Sequence, residues 1–216
     1  MVKTFRFDND TKEFSANTYV IGEKGGPCIV IDLGSTQTRV ISYIKENHTS
    51  CLGILLTHGH FDHIRGLNNF VKEFNCTVFI DFNDKDFLID SKLNGSKYSE
   101  ENQVIVKTTN IYELDDEDEI KFGNGYLFKV IETPFHTNGS VCYLCEKENA
   151  LFSGDTLFKG SIGRTDLPTG SERLVNSSLK KLLNLNPKLV VYPGHGETTT
   201  LEKEISSNPY LVSAKY

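Results

Sequence analysis

Three histidines and an aspartate, His58, His60, Asp62 and His63, fall within six residues, in the run Thr57-His-Gly-His-Phe-Asp-His63. Imidazole nitrogens and carboxylate oxygens are the donors that zinc, iron and manganese take from proteins. Alternate residues of an extended segment point the same way, so His58, His60 and Asp62 can converge on one side. His63 then turns in at the start of the helix that follows. Three more candidates stand apart in the chain: His136 in Glu132-Thr-Pro-Phe-His-Thr137, Asp155 in Phe152-Ser-Gly-Asp-Thr156, and His195 in Tyr192-Pro-Gly-His-Gly196. Each follows a predicted strand, and α/β proteins gather ligands outside the carboxyl ends of strands. Seven donors are too many for one tetrahedral metal with an open position. They suit two divalent ions sharing a bridging carboxylate, zinc first, with iron or manganese as the other choices. Five of the six histidines are then used, and His48 reads as a surface residue.

The elements that must position these residues can be read from apolar spacing. Phe5 to Phe7, Thr18 to Ile21, Cys28 to Leu33 and Leu52 to Leu56 read as strands, the last running straight into the histidine cluster. Thr36 to Glu46 and Ile64 to Phe74 read as helices with one apolar face. Strand Thr77 to Ile80 leads into mixed helix and loop up to about Asn102. A hairpin is expected from Ile120 to Phe122 and Tyr126 to Glu132 around Gly123-Asn-Gly125. Strands Ser140 to Cys145, Ala150 to Ser153 and Leu189 to Tyr192 follow, with a helix at Leu174 to Leu183. Both halves supply strands and helices, so the chain reads as α/β, two mixed sheets with helices outside. No repeat or linker divides it, so residues 1–216 are taken as one domain.

Composition narrows the function classes. Lys and Arg number 23 and Asp and Glu 29, a net charge of −6. That disfavours nucleic acid and membrane surfaces as partners. The acidic run Asp115-Asp-Glu-Asp-Glu119 reads as a solvated turn before a strand. Five cysteines, an odd number, and an N-terminus without an apolar leader segment point to reduced thiols and a cytoplasmic location. Cys142 and Cys145 have redox spacing. On a strand, however, they face opposite ways, and both read as buried structural cysteines.

The motif Thr57-His-Gly-His-Phe-Asp-His63 resembles the signature of the metallo-β-lactamase superfamily, and the likeness runs from Tyr19 to Leu211. Within that superfamily, Gly154-Asp-Thr-Leu-Phe-Lys-Gly-Ser-Ile-Gly-Arg-Thr-Asp166, Pro193-Gly-His-Gly196 and Asn208-Pro-Tyr-Leu211 are similar to short glyoxalase II-like hydrolases. The resemblance implies a four-layer αββα sandwich. It places His58, His60 and His136 on a first metal and Asp62, His63 and His195 on a second, with Asp155 bridging. Asp62 and Asp155 are thereby the carboxylates of the catalytic centre. The implied reaction is hydrolysis of a small-molecule thioester such as S-lactoylglutathione. Phe135 stands where that family has Gly, and Asn138 where it has Pro; Phe135 is expected to shape the substrate pocket. Arg164 lies where long glyoxalase II enzymes bind the thiol carrier, and could grip a carboxylate. The helical domain that those enzymes add after the last histidine is not expected in this chain. Asp32, in Asp32-Leu-Gly34, could either hydrogen-bond a ligand or cap the next helix.

The chief alternative is a persulfide dioxygenase of the same fold, with one iron on His58, His136 and Asp155. A nuclease is disfavoured by the acidic balance and a true β-lactamase by Asp155. A binding module is disfavoured because it would have no use for seven ligands.

Overall fold

Short apolar runs that alternate with amphipathic segments build strands joined by crossover helices, as the computed structural model shows for residues 1–5, 16–34, 38–99 and 103–216. The chain divides into two compact units, Met1–Glu113 and Leu114–Tyr216. In the first, strands β1 (Val2–Phe5), β2 (Thr18–Gly22) and β3 (Cys28–Ile31) pair antiparallel. Helix α1 (Arg39–Asn47) returns the chain to β4 (Cys51–Leu55), which lies parallel to β3. Helices α2 (Phe61–Ile64) and α3 (Leu67–Phe74) return it again to β5 (Thr77–Asp81), parallel to β4, and β6 (Ile111–Leu114) completes a sheet in the order β1-β2-β3-β4-β5-β6. Parallel neighbours require such crossovers. Val40 and Ile44 from α1 and Leu67 and Phe70 from α3 pack with Val30, Ile54 and Val78 in one apolar core.

A single helix is expected over 64–74, but the structure breaks it at Arg65–Gly66. The cause is in the backbone bonds. The Asp62 carbonyl accepts from Ala16 N–H at 3.2 Å, and Gly66 N–H goes to the Leu33 carbonyl at 3.0 Å. Leu33 N–H in turn donates to the His63 carbonyl at 2.7 Å. Bonds that would extend the helix therefore lash the histidine loop to the turn after β3. Only glycine fits at 34, where a Cβ would lie 2.3 Å from the Ala16 carbonyl oxygen and 2.8 Å from that of Asp62.

The second unit has strands β7 (Glu119–Lys121), β8 (Leu127–Glu132), β9 (Val141–Cys145) and β10 (Ala150–Gly154), all antiparallel neighbours. A small separate hairpin, β11 (Leu157–Phe158) and β12 (Ser161–Ile162), follows. Helix α4 (Val175–Leu183) crosses over to β13 (Val190–Pro193), parallel to β10, and β14 (Thr199–Thr200) forms the edge, giving the order β14-β13-β10-β9-β8-β7. Helices α5 (Leu201–Ser207) and α6 (Pro209–Ala214) end the chain, and Leu179, Leu182, Leu201 and Leu211 share a core with Cys142, Leu151 and Val191. The expected hairpin, the solvated acidic turn and the buried Cys142 and Cys145 are all present. The strand read at Phe5 to Phe7 and the helix start at Thr36 fall partly outside the described residues.

Candidate metal centre

In the first unit, three adjacent parallel strands end in acids or histidines. Asp32 follows β3, the histidine loop follows β4, and Asp84 sits in the 3-10 turn Phe82–Leu88 after β5. His58, His60, Asp62 and His63 are all buried. The His58 ring lies 4.8 Å from that of His60 and 4.1 Å from that of His63, centroid to centroid, and His63 Nε2 is 3.9 Å from Asp62 Oδ2. Two buried acids hold this loop. Asp84 accepts Gly59 N–H at 2.8 Å. Asp32 accepts Thr57 N–H at 2.9 Å on Oδ1, and the Thr57 hydroxyl and His63 Nδ1, both at 2.8 Å, on Oδ2.

Those bonds fix where the ring protons are. As a carboxylate, Asp32 only accepts, so His63 carries its proton on Nδ1 and presents a lone pair on Nε2. The Thr57 hydroxyl spends its proton on Asp32. It can therefore only accept from His58 Nδ1, 3.1 Å away, which leaves the lone pair of His58 on its buried Nε2. Metal-binding histidines are oriented by such partners on the far ring nitrogen. Of the two readings of Asp32, the orienting one describes its side chain. Its backbone is left-handed, φ 53°.

In the second unit, β8, β10 and β13 run in one direction, since β9 is antiparallel to both β8 and β10 and β13 is parallel to β10. His136, Asp155 and His195 lie just beyond their three carboxyl ends. Gly194 N–H donates to the Gly154 carbonyl at 2.7 Å, which sets the two loops side by side. His136 Nδ1 lies 2.8 Å from the Arg164 carbonyl oxygen, an obligate acceptor, so His136 also presents Nε2 as a lone pair. That nitrogen is 3.5 Å from Asp155 Oδ2, and His195 Nε2 is 3.6 Å from the same oxygen. These spacings are long for N–H···O bonds, whose range is about 2.7–3.2 Å. Two donors each ~2.1 Å from a tetrahedral ion stand ~3.4 Å apart, so the spacing suits ligands of a shared cation. The donor chemistry of both units thus fits a metal. His58, His60, Asp62, His63, His136, Asp155 and His195 all belong to His- and Asp-rich groups able to hold one.

The remaining expected residues behave differently. Phe135, expected at a pocket wall, is wholly buried in the apolar core of the second unit with Ile131, Leu151 and Leu179. It offers no surface to a substrate. Arg164 is exposed and forked to Asp166 through bonds of 2.6 and 2.7 Å. That pairing holds the Asp166 carboxyl down at about 2. His48 is partly exposed, with Nδ1 3.3 Å from the Gly26 carbonyl. Asp84 was not singled out by sequence reasoning, since its partner Gly59 is 25 residues away and no local pattern marks it.

The family model described as the metallo-beta-lactamase superfamily matches residues 11–195. YqgX of Bacillus subtilis (strain 168), named a probable metallo-hydrolase, is 37% identical over 185 residues, 85% of this chain and 87% of that protein. Hydroxyacylglutathione hydrolase GloC of Haemophilus influenzae is 33% identical over 202 residues, 93% of this chain and 94% of that one. Among solved structures, the BLEG-1 B3 metallo-beta-lactamase superposes with a TM-score of 0.90 at 34% identity, covering 98% of this chain and 99% of that one. The chain has the metallo-β-lactamase fold and belongs to the metallo-β-lactamase superfamily of metal-dependent hydrolases.

Proposed function

We propose that this protein is a metal-dependent thioester hydrolase acting on S-lactoylglutathione or another thiol-carrier thioester. His58, His60 and His136 would hold a first divalent ion, Asp62, His63 and His195 a second, and Asp155 would bridge them. Zinc is the first choice of metal, and the alternatives are iron and manganese. The thioester reading is carried by one observation, the 33% identity to the GloC hydrolase across 93% of this chain.

Bound metals would lower the pKa of water toward neutrality and polarise the thioester carbonyl. The chain's own residues prepare for that. Asp32 and the Arg164 carbonyl keep the Nε2 lone pairs of His63 and His136 presented, and Thr57 does so for His58. Phe87 packs against the His60 ring at 5.7 Å and shields it from water. Asp62 and Asp155 supply the negative charge that offsets the ions. A thiolate leaves readily, its parent pKa being about 8.5, so no dedicated acid is needed at the leaving group. A carrier carboxylate reaching Arg164 would have to compete with Asp166.

The likeness to BLEG-1 supports a second reading, hydrolysis of a β-lactam amide, against which the carboxylate of Asp155 counts. The two separate in one experiment. The purified protein is assayed for bound metal, for S-lactoylglutathione hydrolysis and for cleavage of a chromogenic cephalosporin. Two ions per chain with thioester turnover is the expected result. Cephalosporin turnover without thioester turnover would replace the thioester reading. One iron per chain with oxygen consumption on glutathione persulfide would replace both with the dioxygenase.

A further inference from the structure

The short hairpin of β11 and β12 reaches all three donors of the second unit. It begins at Leu157, just after Asp155. The Phe158 ring meets the His195 ring edge-on, with centroids 6.2 Å apart. Directly after β12, the Gly163 backbone leaves no room for a side chain: a Cβ there would fall 2.0 Å from the Asp155 carbonyl oxygen and 3.0 Å from His136 Nδ1. The next residue, Arg164, supplies the carbonyl that lies 2.8 Å from His136 Nδ1. A two-stranded hairpin has little stability of its own. Leu157 is anchored in the apolar core, but Lys159, Gly160 and Ser161 at the tip are exposed. Apolar packing therefore does not hold the tip.

Two buried polar side chains near the end of the chain do. Glu204, in α5, is 2% exposed, and Asn208, between α5 and α6, is 0% exposed. Glu204 Oε2 accepts Gly160 N–H at 2.8 Å and the Asn208 side-chain amide at 3.0 Å, while its Oε1 accepts the Thr199 hydroxyl at 2.7 Å. Asn208 Nδ2 also donates to the Ser161 carbonyl at 3.1 Å, with the Phe158 carbonyl 3.5 Å away. Asn208 Oδ1 caps α6 by accepting Tyr210 N–H at 3.1 Å. Capping accounts for the oxygen of Asn208 but not for its NH2 group. We infer that Glu204 and Asn208 are positioning residues, which clamp the hairpin tip and through it seat His136, Asp155 and His195 to receive a metal ion. The inference rests on the reading of those three residues as ligands. A buried polar group that loses its partner is costly. Displacing the tip would take partners from both Glu204 Oε2 and Asn208 Nδ2, so the hairpin is held in one place. Ligands seated before the ion arrives bind it more tightly than ligands that must first be ordered.

The test reads the full-length protein by NMR and by zinc competition against a chromophoric chelator. In the wild type, the Gly160 amide should exchange about 10–100-fold more slowly than an unbonded turn amide, because its acceptor is a buried carboxylate. The His136 Nδ1 proton should give a slowly exchanging imidazole resonance. Asn208→Asp keeps the oxygen that caps α6 but sets a second oxygen against Glu204 and the Ser161 carbonyl. Glu204→Ala removes the acceptor for Gly160. Both should lose the Gly160 protection and the His136 resonance, and should weaken zinc binding within the ~10–100-fold range that follows loss of an orienting partner. Glu204→Gln should retain all three, since its carbonyl can face Gly160 and Asn208 while its NH2 donates to the Thr199 hydroxyl, which can turn to accept. Rapid Gly160 exchange in the wild type would overturn the inference, and this result stands even where a variant folds poorly. So would an unchanged His136 resonance and zinc affinity in both disrupting variants, or a Glu204→Gln as damaged as Glu204→Ala. A wild type that binds no zinc would instead remove the ligand reading and the proposed hydrolysis, while the amide and ring signals would still decide whether the clamp exists.

Discussion

Replacing Asp32 by asparagine tests the proton logic of the first unit with almost no change of shape. Asp32 Oδ2 takes two donors and Oδ1 one. An asparagine has one oxygen and one NH2 to put in those places. With NH2 at the Oδ2 position, it donates toward Thr57 and His63. The His63 proton must then move to Nε2, and the Thr57 hydroxyl turns to donate to His58, moving that proton to Nε2 as well. Two proposed ligand nitrogens are lost together. With NH2 at the Oδ1 position, it meets Thr57 N–H donor to donor, a buried conflict costing about 1–3 kcal/mol. Losing one orienting partner typically costs 10–100-fold in metal affinity, or ~1.4–2.7 kcal/mol. Two histidines depend on Asp32, His63 directly and His58 through Thr57, so the upper part of that range is expected. A competition titration against a chromophoric chelator reads the affinity, and a melting curve of the metal-free protein reads the fold. Thr57→Val, which unseats only the His58 branch, should lose less. If Asp32→Asn binds metal as tightly as wild type at an unchanged melting temperature, the assignment of the ring protons is wrong.

Gly163→Ala should disturb the His136 support, because the new Cβ would fall 2.0 Å from the Asp155 carbonyl oxygen and 3.0 Å from His136 Nδ1; overpacking of this kind costs about 1–3 kcal/mol, readable in a denaturant midpoint. Chelation should lower the melting temperature and zinc should restore it, since an ion at 100 times its Kd stabilises by ~2.7 kcal/mol; a melting curve indifferent to metal would contradict the ligand set. In an NMR titration, Asp166 should titrate at about 2 rather than 3.8, held there by the Arg164 guanidinium, and should return toward 3.8 in Arg164→Ala. The sign is that of a depressed carboxyl: the favourable pairing is fully present above pH 3.8 and disappears as the pH falls through about 2. Cys142, pushed up to about 11 by burial, should hold only about one thiolate in a thousand at pH 8 and stay unlabelled by iodoacetamide in the native protein.

Most of the strands that carry the donors were legible because they are apolar runs ending close to a histidine or aspartate, as Cys51–Leu55 stops before the histidine loop. The mixed character of the two sheets was legible in outline from the strands and helices each half supplies. What escaped depends on partners distant in sequence. The break at Gly66 is made by Leu33, and the role of Asp84 by Gly59. The two-residue strands β11, β12 and β14 are too short to show a period. Helices α5 and α6 are likewise short, marked locally only at their starts, by the N-caps Thr200 and Asn208, the first-turn acids Glu202 and Glu204, and Pro209. Phe135 was misplaced because a large apolar side chain beside a ligand reads as pocket wall, and only packing shows that it turns into the core.

Putting every donor beyond a strand's carboxyl end also frees the other edge of each sheet for instrumentation. Gly123, in the turn before β8, has open space where a side chain would begin. Loop tips of that kind tolerate added groups. A cysteine-free variant carrying a single dye at position 123 would leave the proposed donors untouched, with the label a whole strand length, ~20 Å, from His136.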